Sequence, residues 1–324
     1  AVAVETSVGV ALFPDHGADP ETLLRTADVA LYVAKADRSG VAVYETARDT
    51  NDAARLALMA DMREALERDE IVLHYQPKVD LRTGRVIGAE GLARWQHPTR
   101  GLLPPGEFVL FSELTDLRGA LTRRIVGHAV AQAAEWRALG LEVPIAVNLT
   151  MNDLLDLGLP ERIGSALEAV GLPPQYLELE ITESAFMTDP DRVQHVLARL
   201  HDLGVTIAID DFGTGYSSFS YLRDLPVDVV KLDRSFAVGL EGTDTGRQIA
   251  RAVTDLAHGL GLSVVAEGIE NETALEIVRE IGCDAAQGYH LGRPCPADEL
   301  TARLQESPRS RRRRSPKLRV PSAA

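Results

Sequence analysis

VTIAIDDFGTGYSSFSYL, residues 205–222, begins as an apolar, β-branched run and stops on two adjacent carboxylates, Asp210 and Asp211. A loop with two glycines, Gly213 and Gly215, follows at once. Successive strand residues point to opposite faces, so an aspartate pair at a strand end is costly to place in a core. Metal binding and proton handling are the main uses for which chains accept that cost. An Asx-type turn capping the strand is the competing reading of the motif alone.

Outward from this strand the pattern alternates. Between Ile71 and Leu304 short apolar runs appear at IVLHYQPKV, VIGAEGLARW, PIAVNL, YLELEIT, VTIAID, VVKLD, SVVAEG and DAAQGY. Amphipathic helical segments fill most intervals, among them 122–139, 191–203, 245–259 and 272–281. Eight strands alternating with helices predict an α/β fold, a modified TIM (β/α)8 barrel over residues 71–304. Only DLRTGR separates the first two strands, too short for a parallel crossover. They should form a hairpin, which makes one strand antiparallel. A small α+β fragment (1–46), a linker helix (47–70) and a basic tail (305–324) complete the expected organisation. Leu56, Leu58, Met59, Met62 and Leu66 form the helical stripe of the linker.

Composition narrows the function. The 324 residues are 45% hydrophobic and 25% charged, as in a globular chain. The formal charge is −14, but the tail from Ser307 carries seven basic residues and no acid, leaving −21 for the rest. So acidic a body argues against general nucleic-acid binding. The Pro/Ser/Arg-rich tail reads as a solvated, disordered terminus. No apolar run is long enough to span a bilayer and no signal peptide is evident, so the expected location is cytoplasmic. Cys283 and Cys295 fit no metal-ligand spacing and are expected to be free thiols.

In such a barrel the chemistry sits at the C-terminal ends of the strands. Those ends carry Glu90 and Arg94, Asn148, Glu180 and Glu183, Asp210 and Asp211, Lys231 and Asp233, Glu267 and Glu270, and Gln287. So many carboxylates at one mouth would raise one another's pKa values unless they shared cations. Oxygen donors of this kind suit hard divalent ions, Mg²⁺ or Mn²⁺, and two such ions can clamp a phosphodiester. Neither a GxSxG elbow nor a Walker loop competes.

YQPKVD, EGLAR, VNLT, ELEITES, IDDFGTGYSSFSYL, VVKLD, VAEGIE and AQGY occur in that order, and with them the chain closely resembles the EAL family of cyclic-di-GMP phosphodiesterases. The resemblance implies Mg²⁺- or Mn²⁺-dependent hydrolysis of cyclic-di-GMP to linear pGpG, and a homodimer through the barrel. It implies first-metal ligands Glu90, Asn148, Glu180 and Asp210. Asp211 and Glu267 would serve a second metal, with Asp210 as the bridge. Glu267 is also a candidate general base, and both roles stay open. Lys231 would orient water or neutralise charge on phosphate, while Gln76 and Arg94 would hold substrate. Glu183 would anchor the loop after Asp211. Glu270, Gln287 and Asp233 would support the site from outside the ligand set.

Two departures from the family pattern stand out: Gly91 where alanine is usual, and FSELTDLRG in place of an AExTGLI-like segment. Residues 1–46, through SVGVALFPDHGADPETLLRTADVALYVAKADRSG, resemble the C-terminal end of a GGDEF (diguanylate cyclase) domain without its catalytic signature. They imply an upstream GGDEF or sensory portion of a longer chain, itself possible as a membrane-attached protein. A cyclic-di-GMP receptor that binds without hydrolysis is the alternative function. The presence of every expected ligand and of Lys231 favours catalysis.

Overall fold

Two antiparallel strands start the larger of two compact units, residues 68–324; the smaller spans 1–67. The computed structural model describes residues 8–36, 40–44, 52–109, 117–183, 189–212, 223, 225–233 and 244–306. In the smaller unit, β1 (Val8–Val10) and β2 (Val41–Val43) pair in parallel, connected through α1 (Pro20–Ala36). Asp19 caps α1, its Oδ1 accepting from the Thr22 amide at 2.9 Å. Helix α2 (Asp52–Glu67) buries Leu58, Met62 and Leu66, the four-residue spacing expected of a helical stripe.

All eight predicted barrel strands form. They are β3 (Ile71–Asp80), β4 (Val86–His97), β6 (Ile145–Leu149), β7 (Leu177–Thr182), β8 (Thr206–Phe212), β9 (Val229–Leu232), β10 (Ser263–Ala266) and β11 (Ala285–Ala286). Their order is β3-β11-β10-β9-β8-β7-β6-β4, and the β3–β4 hairpin closes the ring. The reversed strand is the first: β3 runs antiparallel to both β4 and β11. All other neighbouring pairs in the ring are parallel. One strand was not predicted. β5 (Gly101–Leu103) pairs antiparallel with the end of β4, Trp95 opposite Leu103. Strand β4 meets β6 only at Ala89 and Glu90, so its C-terminal half lies past the ring and offers a free edge that β5 covers.

Helices α3 (Arg118–Ala138), α5 (Leu159–Val170), α6 (Pro190–Leu203), α7 (Asp244–Gly259), α8 (Glu272–Ile281) and α9 (Ala297–Glu306) follow the strands, with a short α4 (Met151–Leu154) after β6. Along β7 the alternation separates two environments. Leu177, Leu179 and Ile181 are fully buried on the helix-covered side, while Glu178 and Glu180 face the lumen. Each fully buried leucine or isoleucine contributes about 1.5–3 kcal/mol, which offsets the cost of bringing charge inside. Cys283 and Cys295 are both free and buried, as the sequence predicts. Among the described residues no helix is long and apolar enough to cross a membrane.

Candidate active site

The end of β8 breaks the strand rule. Asp211 adopts φ +53°, a left-handed conformation that aspartate tolerates better than most residues. The pairing with β9 jumps from Ile209–Val230 to Phe212–Leu232, which is a β-bulge at the two aspartates. The bulge gathers both side chains: Asp210, Asp211 and Glu267 each present a carboxylate oxygen, all within 4.8 Å of one another. Glu267 follows β10 directly, its amide donating to Leu232 O at 3.0 Å.

Lys231 stands at the centre. It is fully buried, and its Nζ lies 2.6 Å from Glu180, 2.7 Å from Glu267, 3.1 Å from Asp210 and 3.9 Å from Glu90. The register explains the convergence. Asn148 sits opposite Glu180 on β6 and β7, Thr182 opposite Asp210, and Gln76 opposite Glu90 across the hairpin. Amides hold Glu90 on both oxygens: Asn148 Nδ2 donates to Oε1 at 2.8 Å and Gln287 Nε2 to Oε2 at 2.5 Å. Gln287 Nε2 also reaches Gln76 Oε1 at 3.1 Å, while Gln76 Nε2 donates to Gly292 O at 2.9 Å.

Above this layer opens a pocket of about 220 Å³ lined by Gln76, Glu90, Leu92, Asp210, Glu267, Gly268, Glu270, Gln287, Gly288 and Tyr289. Its electrostatics are split. Burial pushes the Glu267 carboxyl up to about 8; Lys231 opposes the shift, and Asp210, Glu90 and Glu180 reinforce it. Burial, reinforced by Glu180, likewise raises Glu90. Glu180 moves the other way: despite burial, Lys231 and Lys78 hold it down at about 2.

The family model of the EAL domain matches residues 59–294, which take in every residue of this cluster. The chain belongs to the EAL domain family. It is 41% identical over 303 residues to the bifunctional diguanylate cyclase/cyclic di-GMP phosphodiesterase MucR of Pseudomonas aeruginosa, covering 93% of this chain and 44% of that protein. To the cyclic di-GMP phosphodiesterase NbdA of the same organism it is 38% identical over 301 residues, 92% of this chain and 38% of NbdA. The chain thus spans less than half the length of these curated relatives. The solved structure of the PaMucR phosphodiesterase in complex with c-di-GMP superposes with a TM-score of 0.72 at 42% identity, covering 75% of this chain and 99% of that one.

The donor set of this EAL domain fits divalent cations. It offers carboxylate oxygens and one amide, the ligands of hard ions. Asp210 Oδ1 is buried without a hydrogen bond, since its 3.1 Å approach to Lys231 lacks hydrogen-bond geometry. An orphaned carboxylate oxygen beside two further carboxylates is an arrangement that a cation would satisfy.

The EAL barrel brings Gln76, Glu90, Asn148, Glu180, Asp210, Asp211, Lys231, Glu267, Glu270 and Gln287 to one end. Arg94 is set apart. Its guanidinium turns back to Ala93 O at 2.8 Å, and it does not line the pocket. Glu183 and Asp233 lie just beyond their strands and outside the pocket lining. The loop that Glu183 would anchor, 213–222, lies outside the described residues, as do 111–116 of FSELTDLRG and the tail from 307.

Three residues escaped the sequence reading. Lys78 and Glu178 are drawn into the lumen beneath Glu180, with Lys78 Nζ 2.6 Å from each carboxylate. The signal was available: Glu178 and Glu180 are two apart on one strand and share a face. Buried Asp153 is the third. It closes a capping box with Thr150 and accepts from Thr122 Oγ1 at 2.8 Å, which fixes the turn two residues after Asn148.

Proposed function

We propose that this EAL domain hydrolyses one phosphodiester of cyclic-di-GMP to linear pGpG with Mg²⁺ or Mn²⁺. The observation that carries the proposal is the bulge that aims Asp210 and Asp211 at Glu267, beside Lys231 and under a pocket. Names of relatives that cover nearly all of this chain support it. Glu90, Asn148, Glu180 and Asp210 would hold one ion and Asp211 with Glu267 a second, Asp210 bridging. Bound ions would polarise the phosphate and lower the pKa of attacking water.

The chain's own groups supply the rest. Lys231 keeps four carboxylates close together and places a positive charge beside the developing phosphorane. Glu267, which lines the pocket beside Asp210 and Asp211, would accept the proton of the attacking water once bound cations hold its carboxyl ionised. Gln76 and Gln287 present amides to the pocket for orienting substrate. Arg94 uses one N–H on Ala93 O and keeps its remaining guanidinium donors for a phosphate oxygen. Residues 1–46 are proposed to be the end of a GGDEF domain and 305–324 a solvated tail, and the barrel is proposed to form a homodimer in the cytoplasm.

Incubating the protein with cyclic-di-GMP and Mg²⁺ or Mn²⁺, and following pGpG by chromatography, tests the proposal. Turnover that stops with EDTA is expected. Binding of cyclic-di-GMP without turnover would leave the receptor reading instead.

A further inference from the structure

Beneath the carboxylate cluster lies a layer that the proposed reaction does not use. Strand β3 runs opposite to its neighbours, so stepping from Gln76 to Lys78 goes down the lumen while keeping to the same face. Strand β7 steps down in the reverse sense, from Glu180 to Glu178. Lys78 is 4% exposed, and β4 and β6 separate its strand from β7 around the ring, so its side chain crosses the lumen. It ends 2.6 Å from Glu178 Oε1 and 2.6 Å from Glu180 Oε1. The other oxygen of Glu180, Oε2, is 2.6 Å from Lys231. Each oxygen of Glu180 is therefore held by a different lysine, one from below and one from the cluster.

We propose that Lys78, with Glu178 as its counter-ion, is the positioning residue of Glu180. It fixes the lower oxygen so that Oε2 faces the cluster in one orientation. The inference rests on the reading of Glu180 as a metal ligand. A carboxylate free to rotate spends part of its time turned away from the ion, and groups that orient ligands in this way typically contribute 10–100-fold in metal affinity. Glu178 keeps the lower layer neutral, which makes a buried lysine tolerable there.

The sign of the effect separates positioning from charge. A lysine that acted only through its charge would repel a cation, and its removal would tighten metal binding. Removal of a positioning residue weakens it. Mn²⁺ binding is to be measured by electron paramagnetic resonance on the full chain, for the wild type, Glu180→Gln, Lys78→Met and the double variant Lys78→Met/Glu178→Gln. The double variant removes lysine and counter-ion together and stands in if Lys78→Met does not fold. Glu180→Gln should weaken binding at least tenfold; wild-type affinity there would overturn the ligand reading. Lys78→Met and the double variant should each weaken it about tenfold or more. A folded variant with unchanged or tighter binding, while Glu180→Gln is weakened, would overturn the role of Lys78 alone.

Discussion

Asp210 and Asp211 are sequence neighbours in one strand, yet their carboxylates converge, because Asp211 takes a φ of +53° at a bulge. A regular strand would have sent one to the lumen and the other to the helices. Asp211→Asn preserves a residue that tolerates left-handed backbone and should fold normally while losing turnover by 10²-fold or more. Asp211→Val should lose the same activity and about 1–3 kcal/mol of stability as well, since a β-branched residue is strained there. Chemical denaturation beside the pGpG assay checks both; equal stability of the two variants would contradict the backbone argument.

Removing Lys231 leaves Glu90, Glu180, Asp210 and Glu267 facing one another with no central cation. Lys231→Met should cost about 3–5 kcal/mol in EDTA and abolish turnover. Part of the stability should return with millimolar Mn²⁺, which neutralises the same carboxylates. Melting curves with and without the ion read this directly.

The pH dependence follows from Glu267, whose carboxyl is raised from 4.5 to about 8 by burial. A raised pKa means that the folded state holds the proton more tightly than the unfolded chain. The associated stability is fully present below about pH 4.5 and is lost as pH rises through 8. In EDTA the melting temperature should therefore fall between pH 5 and 9, and Glu267→Gln should flatten that slope. Divalent cations compete with the proton, so their affinity should rise over the same range. A melting temperature that climbs from pH 5 to 9 in EDTA would contradict the assignment.

Two glycines make opposite predictions. At Gly91 an added Cβ would meet Leu73 Cδ1 at 3.2 Å, Ile145 Cγ2 at 3.3 Å and Ala146 O at 3.4 Å, contacts that are relieved by shifts of a few tenths of an ångström. Gly91→Ala, the family's usual residue, should change stability by less than about 1 kcal/mol and leave turnover intact, since alanine suits a strand better than glycine. At Gly288 a Cβ would sit 2.1 Å from Ile269 O, and backbone cannot yield so far. Gly288→Ala should cost about 3 kcal/mol or more and disturb Gln287 beside it. Denaturant titration of the pair would refute the packing argument if Gly288→Ala proved as mild as Gly91→Ala.

The barrel was legible because periodicity is local. Runs such as VTIAID and VVKLD, separated by helical stripes, leave few alternatives, and a six-residue gap between Val79 and Val86 forces a hairpin. Strand β5 was not legible, because it exists to cover an edge created only when β4 outruns its barrel neighbour. Much of the site could be read as charged residues collected at strand ends. Arg94 could be placed near that end but not aimed, since its partner Ala93 O is a matter of side-chain conformation.

By itself, then, the amino-acid sequence determined which eight strands close the barrel, which carboxylates collect at their ends and which family the motifs resemble. Tertiary structure alone decided three things: that Asp211 turns back beside Asp210, that Lys231 touches four acids, and that Lys78 reaches across the lumen to the underside of Glu180. The physical reason is common to them. Hydrophobic period fixes which face a residue occupies, whereas ion pairs across a barrel depend on the register of strands far apart in sequence and on one bulge.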